Sequence, residues 1–161
     1  MPYNADTGGE RVKLTIEIDK EGPEQVIIRT HAVDDRVRRL QEAVDRVLSG
    51  GAELAVRKGE QECFLTCDEL LFAETSGDRV WVHTARDVYA CPMRLYELEQ
   101  LLPRSFVRAS KSCLVNTARI RSLTRSPTGV GEAAFRSSDK TVFISRMYFK
   151  LVRETIEETR L

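Results

Sequence analysis

The stretch LYELEQLLPRSFVRASKS, residues 95–112, decides how this chain of 161 residues is to be read. Leu95, Leu98, Leu101 and Leu102 recur at helical spacing, so they make one apolar stripe on a short helix. Pro92 suits the first turn of that helix, where a missing N–H costs nothing. Pro103 ends it. FVRA, residues 106–109, then resumes as a strand, and a Ser-Lys-Ser turn follows. A short helix between strands, with no glycine-rich phosphate loop, excludes a Rossmann plan and points to a mixed, mainly β domain.

The same reading extends in both directions. Upstream, ELAVR (53–57), KGEQ (58–61) and ECFLT (62–66) make a hairpin. DELLFAETSGD (68–78) runs into a turn, and RVWVHT (79–84) returns with Trp81 and His83 on one face. Downstream, RIRSLT continues as a strand, SPTGVGE (126–132) is a loop by composition, and EAAFR and TVFI are short strands joined through SSDK. Ser145 caps a last helix whose apolar positions include Tyr148, Leu151, Val152 and Ile156.

Residues 1–51 read as a separate β-β-α extension, and residues 52–161 as the main domain. Val12, Leu14, Ile16 and Ile18 alternate with polar neighbours, and QVIIRTH (25–31) is β-branched enough to return as the second strand of a hairpin. Asp34 or Asp35 caps a helix carrying Val37, Leu40, Val44, Val47 and Leu48, which SerGlyGly (49–51) stops. A unit this small needs a further surface to pack on, either the main domain or a second copy of the chain.

Charge is balanced overall, with 25 bases and 25 acids, but unevenly placed. Between Arg104 and Arg153 eleven bases face only Glu132 and Asp139. Such a run can focus positive potential on one face. Cys63, Cys67, Cys91 and Cys113 offer one CysPheLeuThrCys interval and no second half of a zinc site, so they read as buried thiols with no structural metal and no cofactor. His83 near Asp87 lacks a nucleophile setting, and Glu69 with Glu74 reads as a solvated pair, so no enzymatic activity is expected. No apolar run approaches the roughly 20 residues of a spanning helix. The start MPYNADTGGERVKL lacks a secretory stretch, so a cytoplasmic location is expected. Trp81, Phe106, Phe135, Phe143 and Phe149 fall in alternating or helical apolar patterns and read as core. Asn116, among apolar neighbours, is expected to hydrogen-bond a turn.

Four patterns in order, DELLFAETSGD with RVWVHT, the 95–112 stretch, LVNTARIRSL (114–123) and VFISRMYF (142–149), resemble the LytTR DNA-binding domain of bacterial regulators. The likeness spans Leu54 to about Ile156, and the β-β-α extension resembles that of short stand-alone members. It implies an α+β, mainly β fold, elongated and made of small antiparallel sheets with short helices. It further implies binding of double-stranded DNA at promoter repeats, a homodimer, and for stand-alone members a membrane-protein partner. Its DNA contacts carry over to Arg79 in the 76–79 turn, to Lys111 with Arg108 nearby, and to Arg146 opening the final helix. Ser110 stands where many members have histidine and retains a hydroxyl for a phosphate. Lys150, like Arg104, Arg119 and Arg121, is a candidate for backbone contacts. Arg79 alternatively pairs with Asp78 or Glu74, and Arg108 either clamps a phosphate or supports a neighbour. A protein-interaction module without firm DNA contact is the alternative function.

Overall fold

The structure is a computed structural model and describes residues 15, 22, 25–48 and 53–160. Asp34 ends the ambiguity at the first helix. Its Oδ1 accepts the Val37 N–H at 2.9 Å, and α1 spans Asp35–Leu48. The expected strand at 25–31 is not formed: residues 25–30 are irregular, and Thr30 Oγ1 donates to the Ala32 carbonyl at 2.7 Å. β-branching favours a strand only where a partner supplies the ladder. The expected partner, residues 12–18, lies outside the described residues apart from Thr15.

The main domain runs β1 (Leu54–Lys58), β2 (Gln61–Leu65), β3 (Leu70–Ser76), β4 (Arg79–Thr84), β5 (Val88–Cys91), α2 (Leu95–Leu101), β6 (Phe106–Ser110), β7 (Cys113–Asn116), β8 (Ile120–Arg125), β9 (Gly131–Phe135), β10 (Thr141–Ile144) and α3 (Arg146–Arg160). Helix α2 begins later than Pro92 suggests. The Arg94 N–H donates to Glu97 Oε2 at 2.7 Å, which fixes the first turn there.

Among the described residues, seven strands form one sheet in the order β2-β1-β5-β4-β3-β7-β6, and three form another in the order β10-β9-β8. Every pairing of these strands is antiparallel. The larger sheet is buried on both faces around β3 and β7. Leu70, Ala73, Val80, Val82 and Leu114 pack with Leu95 and Leu98 of α2 and with Leu102 at its C-terminal cap. Leu71, Phe72, Cys113 and Val115 pack instead with Phe135, Ile144, Phe149 and Val152 of the second sheet and α3. A bulge between Leu70 and Phe72 turns consecutive residues of β3 to the second core.

Asn116 is buried at 3% exposure. Its Nδ2 donates to the Leu70 carbonyl at 2.9 Å, and its Oδ1 accepts the Ala118 N–H at 3.2 Å. The sheets are also tied by Lys140, which donates to the carbonyls of Thr84 (2.8 Å) and Asp87 (2.9 Å). Burial lowers its pKa, and its charge serves this joint rather than the basic surface. Two aromatic and helical expectations change. Phe143 is 70% exposed, because the β10 alternation turns Val142 and Ile144 inward. On α3 the buried row is Phe149, Val152 and Ile156, and Leu151 is exposed.

Candidate nucleic-acid interface

Three turns that are distant in sequence meet at one end of the large sheet. The first joins β3 to β4. Ser76 pairs with Arg79, and Gly77 takes φ +65°, a left-handed conformation that suits a two-residue hairpin loop. The second joins β6 to β7, where Ser110 pairs with Cys113 and leaves Lys111 and Ser112 at the tip. The third is the step from β10 into α3 at Ser145–Arg146. The Thr75 N–H donates to the Ser112 carbonyl at 2.8 Å, joining the first turn to the second. The Ser145 N–H donates to the Ala109 carbonyl at 2.8 Å, joining the third to β6 beside the second.

The side chains at this end differ in their tasks. Arg79, Lys111 and Arg146 are exposed, and among the described residues none of them makes an ion pair or a side-chain hydrogen bond. Arg108 is engaged on all sides. Its Nε and Nη2 bond Glu99 Oε2 at 2.9 and 2.8 Å, and its Nη1 donates to the Lys111 carbonyl at 2.7 Å. Ser110 Oγ accepts the Ser112 N–H at 3.2 Å, a local bond that shapes the same turn. Glu74, the alternative partner for Arg79, bonds His83 instead: Glu74 Oε1 lies 2.9 Å from His83 Nε2, and the imidazole stacks on Phe72 at 4.0 Å. Glu69 bonds the Thr66 N–H at 2.8 Å, so the two glutamates do not form a pair.

At the start of α3, the Ser145 carbonyl accepts from Tyr148 and Phe149 at 3.0 and 3.1 Å. The Arg146 stem lies against Gly129 in the β8–β9 loop. A Cβ on Gly129 would sit 3.2 Å from both Cγ and Cδ of Arg146, and 3.8 Å from Nη2 of Arg125. Arg125 in turn lies over the Phe149 ring at 4.9 Å. Arg125 and Gly129 therefore belong to the surroundings of Arg146, although sequence reading treated 126–132 only as a loop. Glycine in a loop was the available signal, and it carried no address.

Lys150 lies beside this end, and the remaining bases lie elsewhere. Lys150 follows Arg146 by one helical turn and stands 3.7 Å from Glu154. Arg104 and Arg119 line a cleft of about 530 Å³ with Arg38, Gln41, Glu42 and Asp45 of α1, at the C-terminal end of α3. By helical rise that end is about 21 Å from Arg146. Arg121 lines a groove between β8 and α3 with Arg125, Arg153 and Arg160. Among the described residues no helix is long and apolar enough to cross a membrane.

This arrangement is a mixed α+β domain presenting basic turns and a helix start, rather than a recognition helix. The LytTr DNA-binding domain family model matches residues 60–157. The chain belongs to the LytTR family, whose domains are DNA-binding regulatory domains. Proteins described as uncharacterized HTH-type transcriptional regulators of Staphylococcus aureus strains MSSA476 and N315 are each 27% identical over 146 residues, covering 90% of this chain and 98% of theirs. The LytTr DNA-binding domain of a Bacillus cereus response regulator matches in fold with a TM-score of 0.60 at 18% identity, over 65% of this chain and 96% of that one.

Proposed function

We propose that this chain is a cytoplasmic transcriptional regulator that binds a specific double-stranded DNA sequence, as a dimer on two repeated half-sites. Arg146 and Lys111 read base edges in this account, Arg79 enters from the neighbouring turn, and Ser110 and Lys150 hold phosphates. A guanidinium can bond the O6 and N7 of guanine together, whereas lysine supplies a mobile point charge. The exposed N–H groups opening α3 favour a phosphate beside Arg146. Arg108 positions the Lys111 turn and leaves the duplex to its neighbours.

The observation that carries this reading is the pair of backbone bonds, Thr75 to Ser112 and Ser145 to Ala109, which gather three basic turns at one sheet end. A mobility shift with DNA from upstream of the protein's own gene, over a salt series, tests it. Wild type is expected to retain that DNA above a scrambled duplex, and Arg146→Ala to lose about 1–3 kcal/mol of specific binding. Equal and weak retention of both duplexes by wild type would favour a protein partner, a membrane protein included.

A further inference from the structure

Arg104, Arg119 and Arg136 come from three separate segments and line one cleft of about 530 Å³. Arg119 closes a short 3-10 turn, Thr117–Arg119, which Asn116 caps by accepting the Ala118 N–H at 3.2 Å. The Thr117 N–H and hydroxyl both donate to the Ser105 carbonyl at 2.8 Å, which ties the segment of Arg104 to that turn. The Arg136 N–H donates to the Arg119 carbonyl at 2.9 Å, which ties in the end of β9. Asn116 and Thr117 are buried, so the three arginines spring from a fixed base.

These guanidinium groups lack partners. Among the described residues, none of the three makes an ion pair or a side-chain hydrogen bond. Arg119 is half-buried, and its Nε is sealed from solvent with no acceptor. Arg38, on the α1 side of the cleft, repeats the pattern: its Nε is sealed and unpartnered, while Nη1 donates to the Glu158 carbonyl at 3.4 Å. Buried polar atoms ordinarily find partners, and leaving them without costs free energy. An arginine packed down at Nε leaves its two terminal nitrogens to the cleft as a fixed fork. Glu42, Asp45, Asp68 and Glu158 line the cleft too, yet no ion pair joins any of them to these arginines.

We propose that this cleft binds a small phosphate monoester, with the phosphate among Arg104, Arg119 and Arg136, and Arg38 facing it from α1. Arginine forks match phosphate oxygens in pairs. The volume falls in the range of small-molecule sites, about 300–1,000 Å³. Charge sets the limit on the ligand. With Arg160, five arginines face four carboxylates across the lining. That balance suits one phosphate group and disfavours a polyphosphate or a nucleic-acid backbone. Gln41 and Ser105, in the same lining, offer an amide and a hydroxyl to a polar, hydroxyl-bearing body. Because the lining draws on both α1 and the main domain, the ligand bridges them at the end of α3 remote from Arg146.

The inference goes beyond the DNA reading and is tested without DNA. The full chain, isotope-labelled and followed by its backbone amide NMR signals, is titrated with inorganic phosphate and with glycerol phosphate at constant ionic strength made up with chloride. Saturable shifts are expected at Thr117–Arg119 and Arg136, with glycerol phosphate the tighter ligand. Arg119→Gln should weaken binding about tenfold, as loss of a charge-assisted contact does. Arg136→Gln, at an exposed position, should do the same and serves if the first variant disturbs the fold. Arg146→Ala should bind both probes like wild type. Shifts that never saturate would overturn the proposal, as would undiminished binding by both glutamine variants. Shifts centred on Ser110–Ser112 and Arg146 would place the phosphate on the basic turns and overturn it too. Equal affinity for the two probes would reduce the ligand to free phosphate and overturn the monoester.

Discussion

Arg108 holds the backbone of Lys111. Its Nη1 donates to the Lys111 carbonyl at 2.7 Å, while the rest of the guanidinium grips Glu99 on α2. The Arg108 side chain is only 18% exposed, so the fork works inside the protein. Arg108→Lys keeps the charge and loses the planar fork. We expect it to weaken DNA binding about tenfold in fluorescence anisotropy, equivalent to roughly 1.4 kcal/mol, with an unchanged salt slope. A lysine variant that binds like wild type, beside an alanine variant whose salt slope falls by about one, would make Arg108 a phosphate contact instead.

Gly129 and Gly131 make different predictions two residues apart. Gly129 takes φ +89°, and a Cβ there presses on the Arg146 stem at 3.2 Å. Gly129→Ala is expected to cost about 1 kcal/mol in denaturant unfolding and to lower DNA affinity through Arg146. At Gly131 a Cβ would lie 2.5 Å from the Phe149 ring, inside the second core. Gly131→Ala is expected to cost more, about 1–3 kcal/mol or above. Equal stability of both variants with wild type would contradict the packing described.

His83 gives stability a pH dependence. Burial lowers its pKa, with Lys140 adding to that effect, and this outweighs the pull of the Glu74 carboxylate in the opposite direction. The folded chain therefore binds fewer protons at this site than the unfolded chain below about pH 6.5. This contribution is complete above that pH and is lost as pH falls through the window beneath it. Urea unfolding at pH 7.5 and 5.5 should show a drop for wild type that is smaller in His83→Gln. An identical drop in both would remove His83 as the source.

The four thiols should divide by burial. Cys113 is buried, and desolvation pushes its pKa up to about 12. Cys91 is buried and also raised by desolvation. Since the thiolate is the reactive form, both should resist a thiol reagent at pH 8 until urea unfolds the chain. Cys63, half-buried, should react first, and Cys67, half-buried but with its thiol pushed up by desolvation and by Asp68, should follow it. Mass spectrometry of quenched samples checks the order, and early labelling of Cys113 would contradict it.

The elements easiest to read in the sequence were those set by local pattern. Leu95, Leu98 and Leu102, the alternation in β4 and the turn at Gly77 each announce their own geometry, whereas Leu101, read into the same stripe, is exposed. Asn116 was legible too, because a buried amide among apolar residues must find partners, and Leu70 and Ala118 supply them. Long-range relationships were not. The bonds Thr75 to Ser112 and Ser145 to Ala109 depend on the strand order, which no local pattern encodes. Phe143 faced outward because a period of two fixes alternation but not which face is covered.

The central claim is that Lys111, Arg146 and Arg79 form one surface for a duplex. Anisotropy titrations of an upstream duplex with Lys111→Ala, Arg146→Ala and Arg119→Ala at a fixed salt concentration test it most directly. The account predicts losses of about 1–3 kcal/mol for Arg146→Ala and a smaller loss for Lys111→Ala, with Arg119→Ala, in the cleft beneath α1, close to wild type. Full affinity in both interface variants, with loss confined to Arg119→Ala, would contradict it.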